Sequence, residues 1–356
     1  MKKELLRILC CPICKADFQI SITEEVKHEI KEGELICSSG HKFPIIRSVP
    51  RLLVEQALQE NKGSKQVNKS FGDKWKYLPA KGKNKTTWEQ SFAMLRNWVD
   101  QKYGYEDKED FKELISPRNY ILDAGCGLAR EAINFSKYNS SGMIVGLEFS
   151  DCADEAYENC KNVHNIQIVQ GDIMNLPFKN DSFDYIFSEG VIHHTYSTEK
   201  ALEFLSHSLQ PKGEIAIYVY KKKAAIREFT DDYIRDQVKD LSLEECYKVC
   251  EPITKLGKAL SDLNVEFEVP EDIPVLGIQK GKYNLQRFFY YNMLKCFWNN
   301  TMSYEENVLI GVDWFHPVFA WRQTPEQVRE WCKNNKIQII HEDICGAGIT
   351  IRGIKE

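Results

Sequence analysis

The run Tyr120-Ile121-Leu122-Asp123-Ala124-Gly125-Cys126-Gly127-Leu128-Ala129-Arg130 decides the fold. An apolar strand ends in an acid and passes through two glycines into Glu131-Ala132-Ile133, the start of a helical pattern. The glycines let the backbone come close to a ligand and adopt dihedral angles that other residues avoid. The helix that follows offers free amides at its N-terminus. Gly-x-Gly alone is a weak signal, because dinucleotide-binding folds share it. Two details narrow the ligand. Asp123 stands two residues before the first glycine, which suits a ligand with an ammonium group and no pyrophosphate. The third glycine of the dinucleotide pattern is absent, and Arg130 takes its place.

Both details favour S-adenosylmethionine (SAM), and the later segments follow in the order that a doubly wound sheet requires. Met143-Ile144-Val145-Gly146-Leu147-Glu148-Phe149-Ser150 is a strand ending in an acid, 25 residues after Asp123. A carboxylate there can accept both ribose hydroxyls. Ser150 reads as the N-cap of a helix over 151–161. Residues 165–169 read as a third strand, closed by Gly171-Asp172-Ile173. Ser182-Phe183-Asp184-Tyr185-Ile186 leads into a fourth strand that ends in Ser188-Glu189-Gly190-Val191-Ile192-His193-His194-Thr195. Leu209-Gln210-Pro211-Lys212-Gly213 reads as the turn before a fifth strand over 214–220.

On these residues, 118–220 resemble a class I SAM-dependent methyltransferase of the broad type 11 small-molecule group. The resemblance implies an α/β fold with a doubly wound, Rossmann-like, seven-stranded sheet. It implies that Asp123, Gly125, Cys126, Gly127, Glu148, Phe149, Asp172, Ile173, Ser188 and Glu189 bind the cofactor. In similar enzymes the acid at Asp172 receives the adenine amino group and the next amide meets the ring. Where Ala129 stands, the family commonly has glycine, so that turn is tighter here. The His-His-Thr after the fourth strand is typical of the group, which makes His193 or His194 the candidate general base. The competing role for either is to pack against adenosine or its own loop.

At the front of the chain, Cys11-Pro12-Ile13-Cys14 is Cys-x2-Cys and Cys37-Ser38-Ser39-Gly40-His41 is Cys-x3-His. Two such knuckles can hold Zn²⁺ tetrahedrally, with Cys10 as a spare. About 50 residues make too small a core to fold securely alone, and zinc supplies the missing stability. His41-Lys42-Phe43-Pro44-Ile45-Ile46-Arg47-Ser48-Val49-Pro50 resembles the closing strand and turn of the zinc-ribbon activators of tRNA and translation-factor methyltransferases. The ligand set is also similar to the N-terminal zinc module of some large-subunit rRNA guanine methyltransferases. The resemblance spans roughly 1–54 and implies a closed, structural site.

These readings divide the chain into a zinc ribbon over 1–54, a linker with helices over 55–116 and a methyltransferase core over 117–356. A mainly helical cap is inserted at 222–323. In the linker, lysines are dense from Lys62 to Lys85, with Phe71, Trp75, Tyr77 and Trp88 among them. Such a stretch reads as a solvated linker running into amphipathic helices, with RNA binding as the alternative. Ser70-Phe71-Gly72-Asp73-Lys74-Trp75 resembles a segment that covers the cofactor or substrate cleft in fusions of this kind. The closing helix opens at Thr324-Pro325, and the last strands read as 337–344 and 348–354. An insertion before that helix is expected to act as a lid. Arg227, Arg287 and Arg322 are expected to pair with Asp231, Asp232 or Asp313, or else to meet an anionic group on the substrate.

The composition fits this picture. A net charge of −5 argues mildly against a dedicated nucleic-acid binder. Eight of the 12 cysteines are scattered through regular segments, which fits free thiols in a reducing, cytoplasmic setting. The start of the chain does not read as a signal peptide, and no apolar run reaches the roughly 18 residues of a membrane span. The reading is a SAM-dependent methyltransferase acting on an O, N or C atom of a small molecule. The alternatives are an RNA methyltransferase, and a non-catalytic SAM-binding protein whose ribbon docks a protein partner.

Overall fold

In a computed structural model, the structure describes residues 1–80, 98–105 and 107–356, with backbone only at 76–80. The chain forms two compact units. The first comprises Met1–Val219, Pro325–Ile344 and Ile349–Glu356, and the second Tyr220–Thr324 with Cys345–Gly348.

The first unit holds two sheets. Strands β1 (Phe18–Val26), β2 (Glu29–Cys37), β3 (Lys42–Ile46) and β4 (Val49–Pro50) form an antiparallel sheet in sequence order. The larger sheet takes β5 (Tyr120–Ala124), β6 (Met143–Glu148), β7 (Ile166–Gln170), β8 (Phe183–Glu189) and β9 (Leu209–Tyr220). Counting β10 (Glu266–Val269) and β11 (Gly281–Asn284) of the second unit, the last two strands are β12 (Ile337–Ile344) and β13 (Gly348–Lys355). The order across the large sheet is β12-β13-β9-β8-β5-β6-β7, seven strands in all. Strands β7, β6, β5, β8 and β9 are parallel, and the order reverses between β5 and β8. Sheets of this kind bind ligands outside the carboxyl ends of the strands at that reversal. The α/β, Rossmann-like architecture expected from the glycine run is therefore present.

The helices follow from the sequence. After α1 (Glu55–Glu60) and α2 (Lys62–Ala80), a short helical stretch covers 98–102. The Asp107 carboxylate caps α3 (Lys108–Ile115) by accepting from the Glu109 and Asp110 amides. Next come α4 (Arg130–Ser136), α5 (Ala153–Cys160) and α6 (Thr198–Ser208). Ala129, at the N-cap of α4, sits in the left-handed region at φ 62°, which explains why glycine suits that position. The second unit holds α7 (Ala225–Val238), α8 (Leu243–Asp262), α9 (Leu285–Asn292) and α10 (Tyr304–Phe315) together with the antiparallel β10–β11 pair. Capping boxes start α8 at Ser242 and Glu245, and α10 at Ser303 and Glu306. The closing helix α11 (Pro325–Asn334) belongs to the first unit.

Three local readings change. Ser150 does not simply cap α5, which begins at Ala153; its hydroxyl turns back to Glu148. The turn read at 209–213 lies within β9, with Lys212 at φ 65° and a shift in register against β8. The insertion contains a strand pair that its helical pattern conceals.

The small sheet is packed onto the large one within a single apolar core. Leu5, Leu9, Leu35 and Phe43 share it with Leu147, Val169, Phe178 and Ile186. Backbone pairing reinforces the packing. Leu9 bridges Phe178 and Arg51 bridges Gln170, while the Leu52 amide donates to the Gln170 carbonyl at 2.7 Å. Both Arg47 and Arg51 reach Asp154, at 2.8 and 2.5 Å. Among the described residues, no helix is long and apolar enough to cross a membrane.

Candidate functional site

At the carboxyl end of β5 the loop turns back on β6. The amides of Gly125 and Cys126 donate to the Leu147 carbonyl at 2.8 and 3.0 Å. Gly125 has φ +84°, and a Cβ there would lie 2.4 Å from a Val191 methyl, so the position needs glycine on both counts. The Gly127 amide donates to Glu148 Oε2 at 2.9 Å, while the amide and hydroxyl of Ser150 donate to Oε1 at 2.8 and 2.6 Å. A carboxylate has about four acceptor sites, so the 5% exposed Glu148 keeps capacity for a ligand hydroxyl. Cys126 is buried, and that burial pushes its thiol well above the usual range.

Other residues singled out in the sequence lie at the same ends of the strands. Asp123 Oδ2 accepts from the Ala132 amide at 3.1 Å, so the carboxyl caps α4. Burial, aided by Glu131, raises its pKa to about 8. Asp172, raised by burial, accepts from the Met174 amide at 2.9 Å and starts the turn containing Ile173. The Ser188 hydroxyl donates to the Ala124 carbonyl at 3.0 Å, tying β8 to β5 at the reversal.

Helix α2 lies over this loop. Asn68 donates to the Phe149 carbonyl at 2.6 Å. Phe71 stands edge-on to His194 with ring centroids 4.9 Å apart. A Cβ at Gly72 would be 3.5 Å from the Ser150 Cβ, and one at Gly127 would be 3.1 Å from the Trp75 ring. Of the lysine-rich stretch, Lys81, Lys83, Lys85 and the aromatic Trp88 lie outside the described residues, and Tyr77 is described by its backbone alone. Lys74 lies over the rings of Phe71 and Trp75, at 5.5 and 4.5 Å.

Sequence reasoning missed the group around Glu189. Lys102 and the Tyr103 hydroxyl both bond its carboxylate, the latter at 2.7 Å. The Lys102 ammonium lies 3.7 Å from the ring centres of both Trp98 and Tyr218. Nothing in the local pattern of 98–103 marks it, because its partner is 87 residues away. His193 is fully buried, and its ring centre lies 4.3 Å from that of His194. Burial, then the neighbouring His194 and Lys102, hold the His193 pKa well below the usual value, so the ring is neutral near pH 7.

The ligand atoms of Cys11, Cys14, Cys37 and His41 lie within 4.8 Å of one another. Cys14 and Cys37 sulfurs are 3.6 Å apart, and His41 Nδ1 is 3.5 Å from the Cys11 sulfur and 3.3 Å from that of Cys37. Zn–S bonds of about 2.3 Å at a tetrahedral angle separate sulfurs by roughly 3.8 Å, so the donor set fits a tetrahedral metal. Cys10 lies outside the cluster and gives its amide to the Pro177 carbonyl at 2.9 Å.

Two family models match segments of the chain. Residues 122–217 match the family model of a methyltransferase domain, and residues 2–48 that of Trm112p-like proteins. Demethylmenaquinone methyltransferase of Staphylococcus saprophyticus is 35% identical over 30% of this chain and 48% of that protein. Human "Probable tRNA methyltransferase 9B" is 32% identical over 33% of this chain and 25% of that protein. A solved magnesium protoporphyrin IX methyltransferase of Synechocystis PCC 6803 with bound SAH is 12% identical, covering 82% of this chain and 98% of that chain at a TM-score of 0.41. The chain spans about half the length of the first curated relatives it matches. It thus joins a Trm112p-like segment to a methyltransferase domain.

Proposed function

We propose that the chain moves a methyl group from SAM to an O, N or C atom of a small-molecule acceptor. The observation that carries the cofactor is the glycine loop whose Gly127 amide is held to Glu148 inside a methyltransferase domain. SAM supplies an electrophilic methyl on a sulfonium. The chain's residues do the rest. Glu148 takes ribose hydroxyls, and Asp172 with the Ile173 amide meets the adenine. Asp123, losing its proton as SAM binds, and Glu189, shared with Lys102, set the negative charge near the cationic part of the donor, and α2 keeps water from the loop through Trp75 and Phe71. Where the acceptor must lose a proton, His193 or His194 is the residue placed to take it, against the low basicity that burial gives His193.

A small acceptor is favoured by the second unit. The insertion over 220–324 is long enough to enclose a small ligand. RNA is the rival acceptor, resting on the lysines from Lys62 to Lys85. The Cys11, Cys14, Cys37 and His41 cluster takes one structural Zn²⁺. The ribbon acts within its own chain, since its backbone pairs with Phe178 and Gln170 of the same methyltransferase domain.

Incubating the protein with methyl-labelled SAM and, separately, a metabolite extract and total RNA tests the acceptor. Mass spectrometry is expected to find label in a small molecule. Label in RNA alone would replace the first reading with its rival, and label in neither would remove the enzymatic one.

A further inference from the structure

The second unit buries a lysine beside aromatic rings instead of beside an acid. Lys295 is 7% exposed. Among the described residues, its ammonium has no hydrogen-bond acceptor and no ion-pair partner; it lies 3.9 Å from the Trp314 ring centre and 5.7 Å from that of Tyr290. Arg227, 1% exposed, faces the same two rings at 5.3 and 5.2 Å. Lys223 stands 5.9 Å from Trp314, and Arg287 5.8 Å from Tyr290.

Arg227 has an acid partner and Lys295 has none among the described residues. Asp231 gives one oxygen to Arg227 Nε at 2.7 Å, and its other oxygen has no partner. Asp313 is the other acid whose charge reaches Lys295. Lys223 spends its ammonium on the Gly346 and Ala347 carbonyls. The buried indole N–H of Trp314 has no acceptor either. Two donors on and over one ring, Lys295 Nζ and Trp314 Nε1, thus lack what a donor needs. Ring faces offset part of a cation's lost hydration but supply no hydrogen-bond acceptor.

We propose that Lys295, Arg227 and Trp314 form a binding site for one anionic group, a carboxylate or a phosphate, on a small molecule. The site rests on the small-acceptor reading above and adds the chemical class of the acceptor. A planar guanidinium and a compact ammonium sharing one indole are suited to two oxygens of such a group. Burial and the neighbouring Arg227 push the Lys295 pKa well below its usual value, as expected of a cation short of negative charge.

The test is calorimetric titration of the full, metal-loaded chain with sodium phosphate and, separately, sodium acetate at constant chloride, beside thermal melts. Wild type is expected to bind at least one anion saturably, one per chain, with a rise in Tm; the tighter binder names the group. Lys295→Met keeps the length of the side chain and removes the charge. It is expected to fold, to keep SAM affinity, and to lose at least tenfold in anion affinity together with the rise in Tm. Trp314→Phe keeps a ring, removes the N–H and should show an intermediate loss. Saturable binding of neither anion, or binding by Lys295→Met equal to wild type, overturns the proposal. The labelled-SAM experiment fails separately: methyl transfer to RNA with Lys295-dependent anion binding intact sinks the acceptor reading and leaves the site.

Discussion

The Gly127 amide donates to the Glu148 carboxylate at 2.9 Å, so the loop after β5 and the acid at the tip of β6 hold each other in place. One side chain thereby shapes the loop and, in the proposed function, binds the ribose.

Glu148→Ala should weaken SAM binding by about 1.5–3 kcal/mol, the range for hydrogen bonds to a charged group. It also leaves the Gly127 and Ser150 donors without their acceptor, so the melting temperature should fall as well. Glu148→Gln keeps an acceptor oxygen and should lose less of both. Equal SAM affinity in wild type and Glu148→Ala, by calorimetry, would show that the ribose lies elsewhere.

Asp123 gives the site a pH signature. Its folded pKa of about 8 lies above the ordinary 3.8. The folded protein therefore holds this proton more tightly than the unfolded chain, and stability from this group falls as pH rises from about 4 to 8. Asp123→Asn keeps an acceptor for the Ala132 amide but cannot titrate, so its melting temperature should decline less over that window. SAM binding at pH 7 should release a proton, read as a dependence of binding enthalpy on the ionisation heat of the buffer. Parallel stability curves for the two proteins would place the Asp123 pKa near its ordinary value.

Freshly purified protein should contain about one Zn²⁺ per chain by elemental analysis. Cys37→Ser should destabilise the protein by about 4 kcal/mol or more, the scale of losing a metal. The loss should reach the large sheet, because Leu35 and Phe43 share their core with Leu147 and Phe178. Metal-free protein with unchanged melting behaviour would reduce the cluster to four ordinary side chains.

If RNA were the acceptor, bulk RNA should bind tightly at low salt and lose affinity steeply as salt rises. Replacing the lysines between Lys62 and Lys85 by glutamine would then abolish turnover. The expected result is weak RNA binding, with turnover of the small acceptor retained in that variant. The net charge of −5 agrees with this outcome.

The glycine loop, the strand order and the meeting of the two Cys/His knuckles were legible because each is written in a few adjacent residues. Gly125 shows why: its positive φ and its approach to Val191 are demands on one position, and one residue type meets them. The partners of Glu189 were not legible, because Lys102 and Tyr103 reach it from a distant segment with no pattern of its own. Ser150 has the composition of a cap, yet a buried carboxylate two residues back claims its hydroxyl at 2.6 Å. The cations of the second unit were half legible. Arg227 and Arg322 make the ion pairs expected of them, with Asp231 and Asp232. Lys295, inside an aromatic stretch, looks like any surface lysine until its burial is known.

Strand β7 is the last in the large sheet, and a bare edge strand is a template onto which another chain can add. Here Arg51 and Leu52 cap that edge at Gln170 with the ribbon's own backbone. An ion held by Cys11, Cys14, Cys37 and His41 would therefore guard colloidal behaviour as well as local shape. Stripping the ion should show first as light scattering that grows with protein concentration, before the large sheet has lost its circular dichroism.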